Sequence, residues 1–351
     1  ILDAPGHKSF VPNMIAGAAQ ADLGVLVISA KCGEFESGFE KGGQTSEHAQ
    51  LAKTAGIQKL VVAINKMDEV NWDEVRYNQI VSTISSFLQK TCQYNPKTDL
   101  VFLPLSGFLA FNLKDRIDTK ICPWYQGPSL LEVLDTIQLQ HGREDLPVRL
   151  PVIDKYKDTR GNTTIMGKVE TGIIKPGDQL MLCPTHTIVE VMALTIDEGT
   201  APMRCARPGE NVRVMIKGES ADNISSGYLA CAAKFPAPTA TVIEAQLVVM
   251  DLQPPKSILS AGYQAIMHIH TAVEECTIVS LDAELDRRTG KADKKKRKPG
   301  FVKAGAVILC HIEMARPVSV EKFTDFQRLG RFTLRDSGKT VAFGKVISIP
   351  N

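Results

Sequence analysis

The chain has 351 residues, enough for two or three domains at about 100–200 residues each. Hydrophobic residues make up 44% and charged residues 23%, an ordinary globular balance, and a formal net charge of +2 confines any nucleic-acid contact to a local patch. No apolar run approaches the length of about 18 residues that a membrane-spanning helix needs.

Residue 1 is Ile, and Ile1-Leu2-Asp3 reads as the end of a strand already under way, so the expectation is a fragment of a longer chain. Asp3-Ala4-Pro5-Gly6 then forms a D-x-x-G sequence at that strand end. In guanosine triphosphatases such an Asp reaches Mg²⁺, usually through water, and the Gly amide meets the γ-phosphate. Asp and Gly also share many ordinary turns. His7 follows directly, where an imidazole could orient an attacking water or simply face solvent in a loop.

Short continuous apolar runs at Leu23–Ile28, Leu60–Ile64 and Val101–Leu105 predict parallel strands covered on both faces. Between them, Tyr77, Ile80, Val81, Ile84, Phe87 and Leu88 keep the three-to-four spacing of one helix face, with Asn71 and Glu74 as a candidate cap. Ser129 and Glu132 form a capping box before a helix over Leu130–Ile137. Strand and helix alternating in this way predict a doubly wound, mostly parallel α/β sheet.

Two further motifs sit at predicted strand ends. Asn65-Lys66-Met67-Asp68 is N-K-x-D: the carboxylate can accept from guanine N1 and N2, and the Lys stem can lie along the base. The alternative is a polar loop. Ser106-Gly107-Phe108 offers backbone amides to a guanine carbonyl oxygen, although Ser-Gly is also a common turn dipeptide. The three motifs fall in the order a guanine-nucleotide domain requires, at the strand edge where open α/β sheets bind ligands. No G-x-x-x-x-G-K-[ST] occurs; Ser337-Gly338-Lys339-Thr340 ends like one but carries Thr333 where the first Gly belongs. The phosphate loop and first switch are therefore expected before Ile1. Residues 1–351 alone are expected to bind nucleotide and hydrolyse GTP poorly.

From His141–Pro147 onward the pattern is all strands and turns. One series runs through Ile165–Val169, Gln179–Leu182, Ile188–Thr195, Asn211–Ile216 and Tyr228–Cys231, with a turn at Lys175–Asp178. A second runs through Val242–Val249, Gln264–His270, Cys276–Leu285, Ala306–His311 and Thr340–Ile349, after Pro236 and Pro238. Two small all-β barrels follow, with expected domains at 1–143, 147–236 and 239–351. The basic run Lys291–Lys298 reads as a solvated hairpin tip, with RNA phosphates or a localisation signal as alternatives. His268 and His270 share a face on a predicted strand; without a third ligand they read as structural. The eight cysteines are scattered with no C-x-x-C spacing, which suits reduced, mostly buried thiols in a cytosolic protein.

Asp3-Ala4-Pro5-Gly6-His7 with Asn13-Met14, and Gly33-Glu34-Phe35-Glu36 with Gly43-Gln44-Thr45 and Glu47-His48, resemble the elongation factor one-alpha group of translational GTPases. Gly38-Phe39-Glu40-Lys41 and the Asn65–Asp68 box are similar to its release-factor and ribosome-rescue branches, and Pro151–Asp158 and Gly330–Asp336 to the release-factor branch. The resemblance covers essentially the whole chain. It implies a GTP/GDP and Mg²⁺ enzyme of translation termination in the cytoplasm, monomeric outside its complexes. Asp3, Gly6, Asn65, Lys66, Asp68, Ser106, Gly107 and Phe108 would bind nucleotide, Asp3 would reach Mg²⁺ through water, and His7 would act in hydrolysis. The ribosome would be one partner. A class-one release factor would be the other, bound by Gly330, Arg331, Phe332, Thr333, Leu334, Arg335 and Asp336. Strand alternation there predicts Phe332 and Leu334 inside the barrel and both Arg side chains outward. The runner-up is the ribosome-rescue branch that partners Pelota. Delivery of aminoacyl-tRNA and an inert adaptor working through its β-domains alone are the remaining alternatives.

Overall fold

The computed structural model describes residues 1–3, 11–39, 43–54, 56–138, 142–157, 161–196, 201–250, 252, 258–286, 289–290 and 298–350. Gly6, His7 and Lys291 to Arg297 lie outside the described residues. The chain divides into two compact units, Ile1–Gln140 and His141–Asn351.

The first unit runs α1 (Val11–Gln20), β1 (Leu23–Ser29), α2 (Glu34–Phe39), α3 (Gln44–Thr54), β2 (Lys59–Asn65), α4 (Glu74–Lys90), β3 (Leu100–Pro104) and α5 (Leu130–Thr136). The strands form a parallel sheet in the order β1-β2-β3. Successive side chains of a strand point to opposite faces. On β2, Leu60, Val62 and Ile64 therefore join one core with Tyr77, Ile80, Ile84 and Leu88 of α4. Val61 and Ala63 join the opposite core with Leu103, Leu105 and Val133 of α5. Each Val, Leu or Ile side chain among them stabilises the fold by about 1.5–3 kcal/mol when fully buried. Coverage on both faces is the doubly wound arrangement, and it leaves the strand ends as the place for loops.

Helix α4 buries the predicted face, but its cap differs from the expectation. Asp73 accepts hydrogen bonds from the amides of Val75 at 3.0 Å and Arg76 at 3.3 Å. Asn71 and Trp72 adopt left-handed φ angles of 51° and 54°, so the chain has not entered the helix when it passes Asn71. Helix α5 keeps its capping box: Ser129 Oγ accepts from Glu132 N at 3.4 Å and Glu132 Oε2 from Ser129 N at 2.8 Å.

The second unit holds two closed barrels. The first contains β4 (Arg149–Lys157), β5 (Thr163–Lys168), β6 (Gln179–Cys183), β7 (Thr187–Thr195), β8 (Asn211–Lys217) and β9 (Leu229–Ala232), in the order β4-β5-β8-β7-β6-β9. Strand β4, which carries Pro151, was not in the predicted series. The second contains β10 (Thr239–Val249), β12 (Gln264–Ile269), β13 (Ala272–Leu285), β15 (Val307–Ser319), β16 (Arg331–Asp336) and β17 (Lys339–Ser348), in the order β10-β15-β13-β12-β16-β17. A small ribbon of β11 (Leu259–Ser260) and β14 (Phe301–Val302) accompanies it. Period-two burial drives both closures: on β8, Val212, Val214 and Ile216 point inward and Arg213 and Met215 outward. Closure removes the unpaired strand edges that would otherwise template aggregation.

On β16, Phe332 and Leu334 enter the core as alternation predicts. Phe332 requires Gly344 opposite, where an added Cβ would stand 2.2 Å from its ring. Arg335 corrects the expectation of an outward donor. It is 4% exposed, because its guanidinium folds onto its own hairpin turn and donates to the Gly338 carbonyl at 2.6 Å. Arg331 stays half-buried, with its guanidinium 5.0 Å from the Phe323 ring centre. The histidine pair is also corrected. Strand β12 ends at Ile269, and His270 turns out of the alternation with φ 41° to donate Nε2–H to the Ser319 carbonyl at 2.9 Å. All eight cysteines are free, and six are buried.

Candidate nucleotide site

Three loops meet at the C-terminal ends of β1, β2 and β3. The Ala30 amide donates to the Asn65 carbonyl at 2.8 Å, Leu105 N to Ile64 O at 2.9 Å, and Met67 N to Leu105 O at 3.2 Å. The Asn65 side chain completes the stitching. Its Oδ1 accepts from Lys66 N at 2.7 Å and from Gly107 N at 2.8 Å, across 42 residues of sequence. One asparagine thus joins the N-K-x-D loop to the Ser106–Phe108 loop.

Lys66 takes a left-handed backbone (φ 62°, ψ 32°) that reverses the chain into a short 3₁₀ turn over Met67–Val70. Met67 is fully buried and anchors the turn. Asp68 Oδ1 is buried and accepts no hydrogen bond from any described residue. A buried carboxylate oxygen without a donor costs free energy, so it marks a place where something else supplies the donor. Ser106 is buried and its Oγ accepts from Leu109 N at 3.2 Å, which shapes the loop. Phe108 is 92% exposed, so what it can offer here is backbone. The structure therefore brings Asn65, Lys66, Asp68, Ser106 and Gly107 together. Asp3 is exposed and is not among the groups these bonds gather. Gly6 and His7 fall outside the described residues.

A charged cluster beside this site was missed by sequence reasoning. Lys66 Nζ lies 2.7 Å from Glu34 Oε2, which also accepts from Ser29 Oγ at 2.8 Å. Lys31 pairs with Glu69 at 2.9 Å, and Arg76 with Glu36 at 2.9 Å. The hydrogen bonds from Lys66 and Ser29 hold the Glu34 carboxyl below the usual range. The Arg76 hydrogen bond brings Glu36 to about 2. The hydrogen bond to Glu69 raises Lys31. The available signal was Gly33-Glu34-Phe35-Glu36, two acids two residues apart at a helix start.

The family model described as elongation factor Tu GTP binding domain matches residues 1–140. The models for elongation factor Tu domain 4 and the GTP-eEF1A C-terminal domain-like fold match 146–228 and 242–347. The eukaryotic peptide chain release factor GTP-binding subunit of Kluyveromyces lactis is 47% identical, with 99% of this chain and 49% of that protein covered. The protein of the same name from Schizosaccharomyces pombe is 46% identical, with 99% and 52% covered. The crystal structure of sup35 complexed with GDP is 44% identical, covering 100% of this chain and 81% of that chain, with a TM-score of 0.55. The chain belongs to this release-factor GTPase family. It spans about half the length of the curated release-factor GTPases it matches. Membership agrees with the α/β domain followed by two six-stranded barrels.

Proposed function

We propose that this chain binds GTP and GDP, and that the complete protein is a GTP hydrolase of translation termination acting in the cytoplasm. The observation that carries the reading is the buried, unpartnered Oδ1 of Asp68 beside loops stitched by Asn65. Guanine N1–H and the N2 amine are donors of the right kind for that carboxylate. The Phe108 amide would face the base carbonyl oxygen, with Gly107 N–H already given to Asn65 Oδ1, and Gly6 with His7 would lie toward the γ-phosphate. The GDP named for the sup35 structure supports a guanine nucleotide here.

Among the described residues no group of three His, Cys, Asp or Glu side chains could hold a metal alone. That fits magnesium, which keeps several waters and takes one or two carboxylates plus substrate phosphates. Asp3 is the carboxylate we assign to it. Bound magnesium would neutralise charge on the phosphates. The chain's own tasks are to fix the base through Asp68 and to orient the attacking water through His7. We also propose domains at 1–143, 147–236 and 239–351. We assign binding of a class-one release factor to the surface around Gly330–Asp336, with Arg331 its half-exposed cation, and coupling of hydrolysis to the ribosome.

A reconstituted termination assay with the full-length protein, ribosomes and a class-one release factor tests this. His7→Ala is expected to leave GTP affinity within a few-fold while slowing ribosome-stimulated turnover at least about 100-fold, since water positioning matters only near the transition state. Arg331→Glu is expected to weaken release-factor binding without lowering the melting temperature. Wild-type turnover in His7→Ala, or undiminished capture by Arg331→Glu, would overturn the respective assignment.

A further inference from the structure

The N-K-x-D lysine is held at both ends. At its backbone, Lys66 is locked by the Asn65 Oδ1 acceptor at 2.7 Å and by its left-handed turn. At its tip, Nζ meets Glu34 Oε2 at 2.7 Å. The stem between is four methylenes with about 2 kcal/mol of rotamer entropy when free. Fixing the tip removes that freedom before any base arrives, which reduces the ordering cost of binding.

Glu34 is itself built into place. Ser29 Oγ donates to the same carboxylate oxygen at 2.8 Å, and Lys31 N donates to Ser29 Oγ at 3.2 Å. The segment carrying it is clamped from α4. Arg76 is 8% exposed and donates Nε to the Ala30 carbonyl at 2.9 Å and Nη1 to Glu36 Oε1 at 2.9 Å. Gly33 N donates to the other Glu36 oxygen at 2.7 Å. The guanidinium also lies 5.5 Å from the Phe35 ring centre. The β1 loop is tied to the β2 loop by Ala30 N on Asn65 O at 2.8 Å and by Lys31 with Glu69 at 2.9 Å. A carboxylate on so many ties acts as a fixed post rather than a drifting surface charge.

We propose that Glu34 is a positioning residue for nucleotide binding: it holds the Lys66 ammonium so that the lysine stem is preset as a wall for the guanine base. This rests on the reading of Asn65–Asp68 as the base site. Glu34 touches no nucleotide in this account and acts only through Lys66. Lys66 and Glu34 are each 42% exposed, so solvent screens the pair and its effect is modest.

The test is a double-mutant cycle on fluorescent GDP binding to the full-length protein. The variants are Glu34→Ala, Glu34→Gln, Lys66→Met and Lys66→Met combined with Glu34→Ala. In the wild-type background, Glu34→Ala is expected to weaken GDP about fivefold, mainly through faster dissociation. Glu34→Gln, which keeps an acceptor for Ser29 but not the charge, should weaken it by a similar factor. In the Lys66→Met background, which keeps the stem and removes the ammonium, Glu34→Ala should change affinity less than twofold. Equal losses in both backgrounds would show a merely structural role and overturn the proposal, as would unchanged or tighter binding in Glu34→Ala. Should Glu34→Ala melt early, Glu34→Gln decides in its place. Failure of the wild-type protein to bind GDP would overturn the base-site reading itself, a separate outcome.

Discussion

At the strand ends of the first unit, Asp68 keeps a buried oxygen with no described donor, Phe108 stands 92% exposed, and Lys66 relies on a half-exposed carboxylate. In the barrel unit, Arg149 is 4% exposed yet fully engaged. It gives Nε to Glu321 Oε1 at 2.6 Å and Nη1 to the carbonyls of Val148 at 3.0 Å and Phe235 at 2.8 Å, and it lies 5.0 Å from the Phe326 ring centre. The pair joins β4 of one barrel to the stretch that follows β15 of the other. The open oxygen of Asp68 and the saturated Arg149–Glu321 pair separate a candidate binding surface from a structural joint, while the barrel unit also holds buried side-chain atoms without a hydrogen-bond partner among the described residues, Thr239 Oγ1 and Ser319 Oγ included.

The contrast is most easily broken at the joint. Arg149→Ala would leave Glu321, whose carboxyl burial already pushes upward, without its cation. Breaking one side of a buried pair costs about 3–5 kcal/mol, whereas replacing both sides with apolar residues costs far less. Denaturant unfolding of the full-length protein should show that loss for Arg149→Ala and recover most of it in Arg149→Met with Glu321→Leu. A loss below about 1 kcal/mol for the single change would mean the joint is not saturated as described.

Acid sharpens the comparison more gently. Burial lowers both His268 and His270 in the second barrel from 6.5 to about 4, so they stay neutral when folded. The unfolded chain takes up protons as pH falls through 6.5, so this stability is complete above that pH and is lost between 6.5 and about 4. In the first unit only His48 is lowered in the same way among the described residues. The Glu36 contribution holds until pH falls below the ordinary carboxylate range toward 2. Between pH 6.5 and 5 the barrel unit should therefore lose stability more steeply than the first unit. Replacing His268 and His270 by Asn should flatten the barrel slope, read by melting at stepped pH; an unchanged slope would contradict the assignment.

What could be read in advance follows the same division. The apolar runs at β1, β2 and β3 and the alternation in the barrels are dictated by burial, so the α/β and double-barrel fold was legible. Asn65, Lys66, Asp68, Ser106 and Gly107 were legible because their chemistry is local to two short loops. Glu34 was not, because it meets Lys66 across 32 residues that the sheet alone brings together. The errors came from single backbone angles. Left-handed Asn71 and Trp72 moved the α4 cap to Asp73, and His270 left its strand at φ 41°. Arg335 is covered because its guanidinium folds back onto a carbonyl of its own hairpin turn.

The central claim is that Asp68 reads guanine. Competition between GDP and xanthosine diphosphate on the full-length Asp68→Asn variant tests it most directly. The altered donor and acceptor pair should reverse the preference by several orders of magnitude, as expected for a site built around one hydrogen-bonding edge. If Asp68→Asn still prefers GDP over xanthosine diphosphate as the wild type does, the buried oxygen of Asp68 has another purpose and the account of this site is wrong.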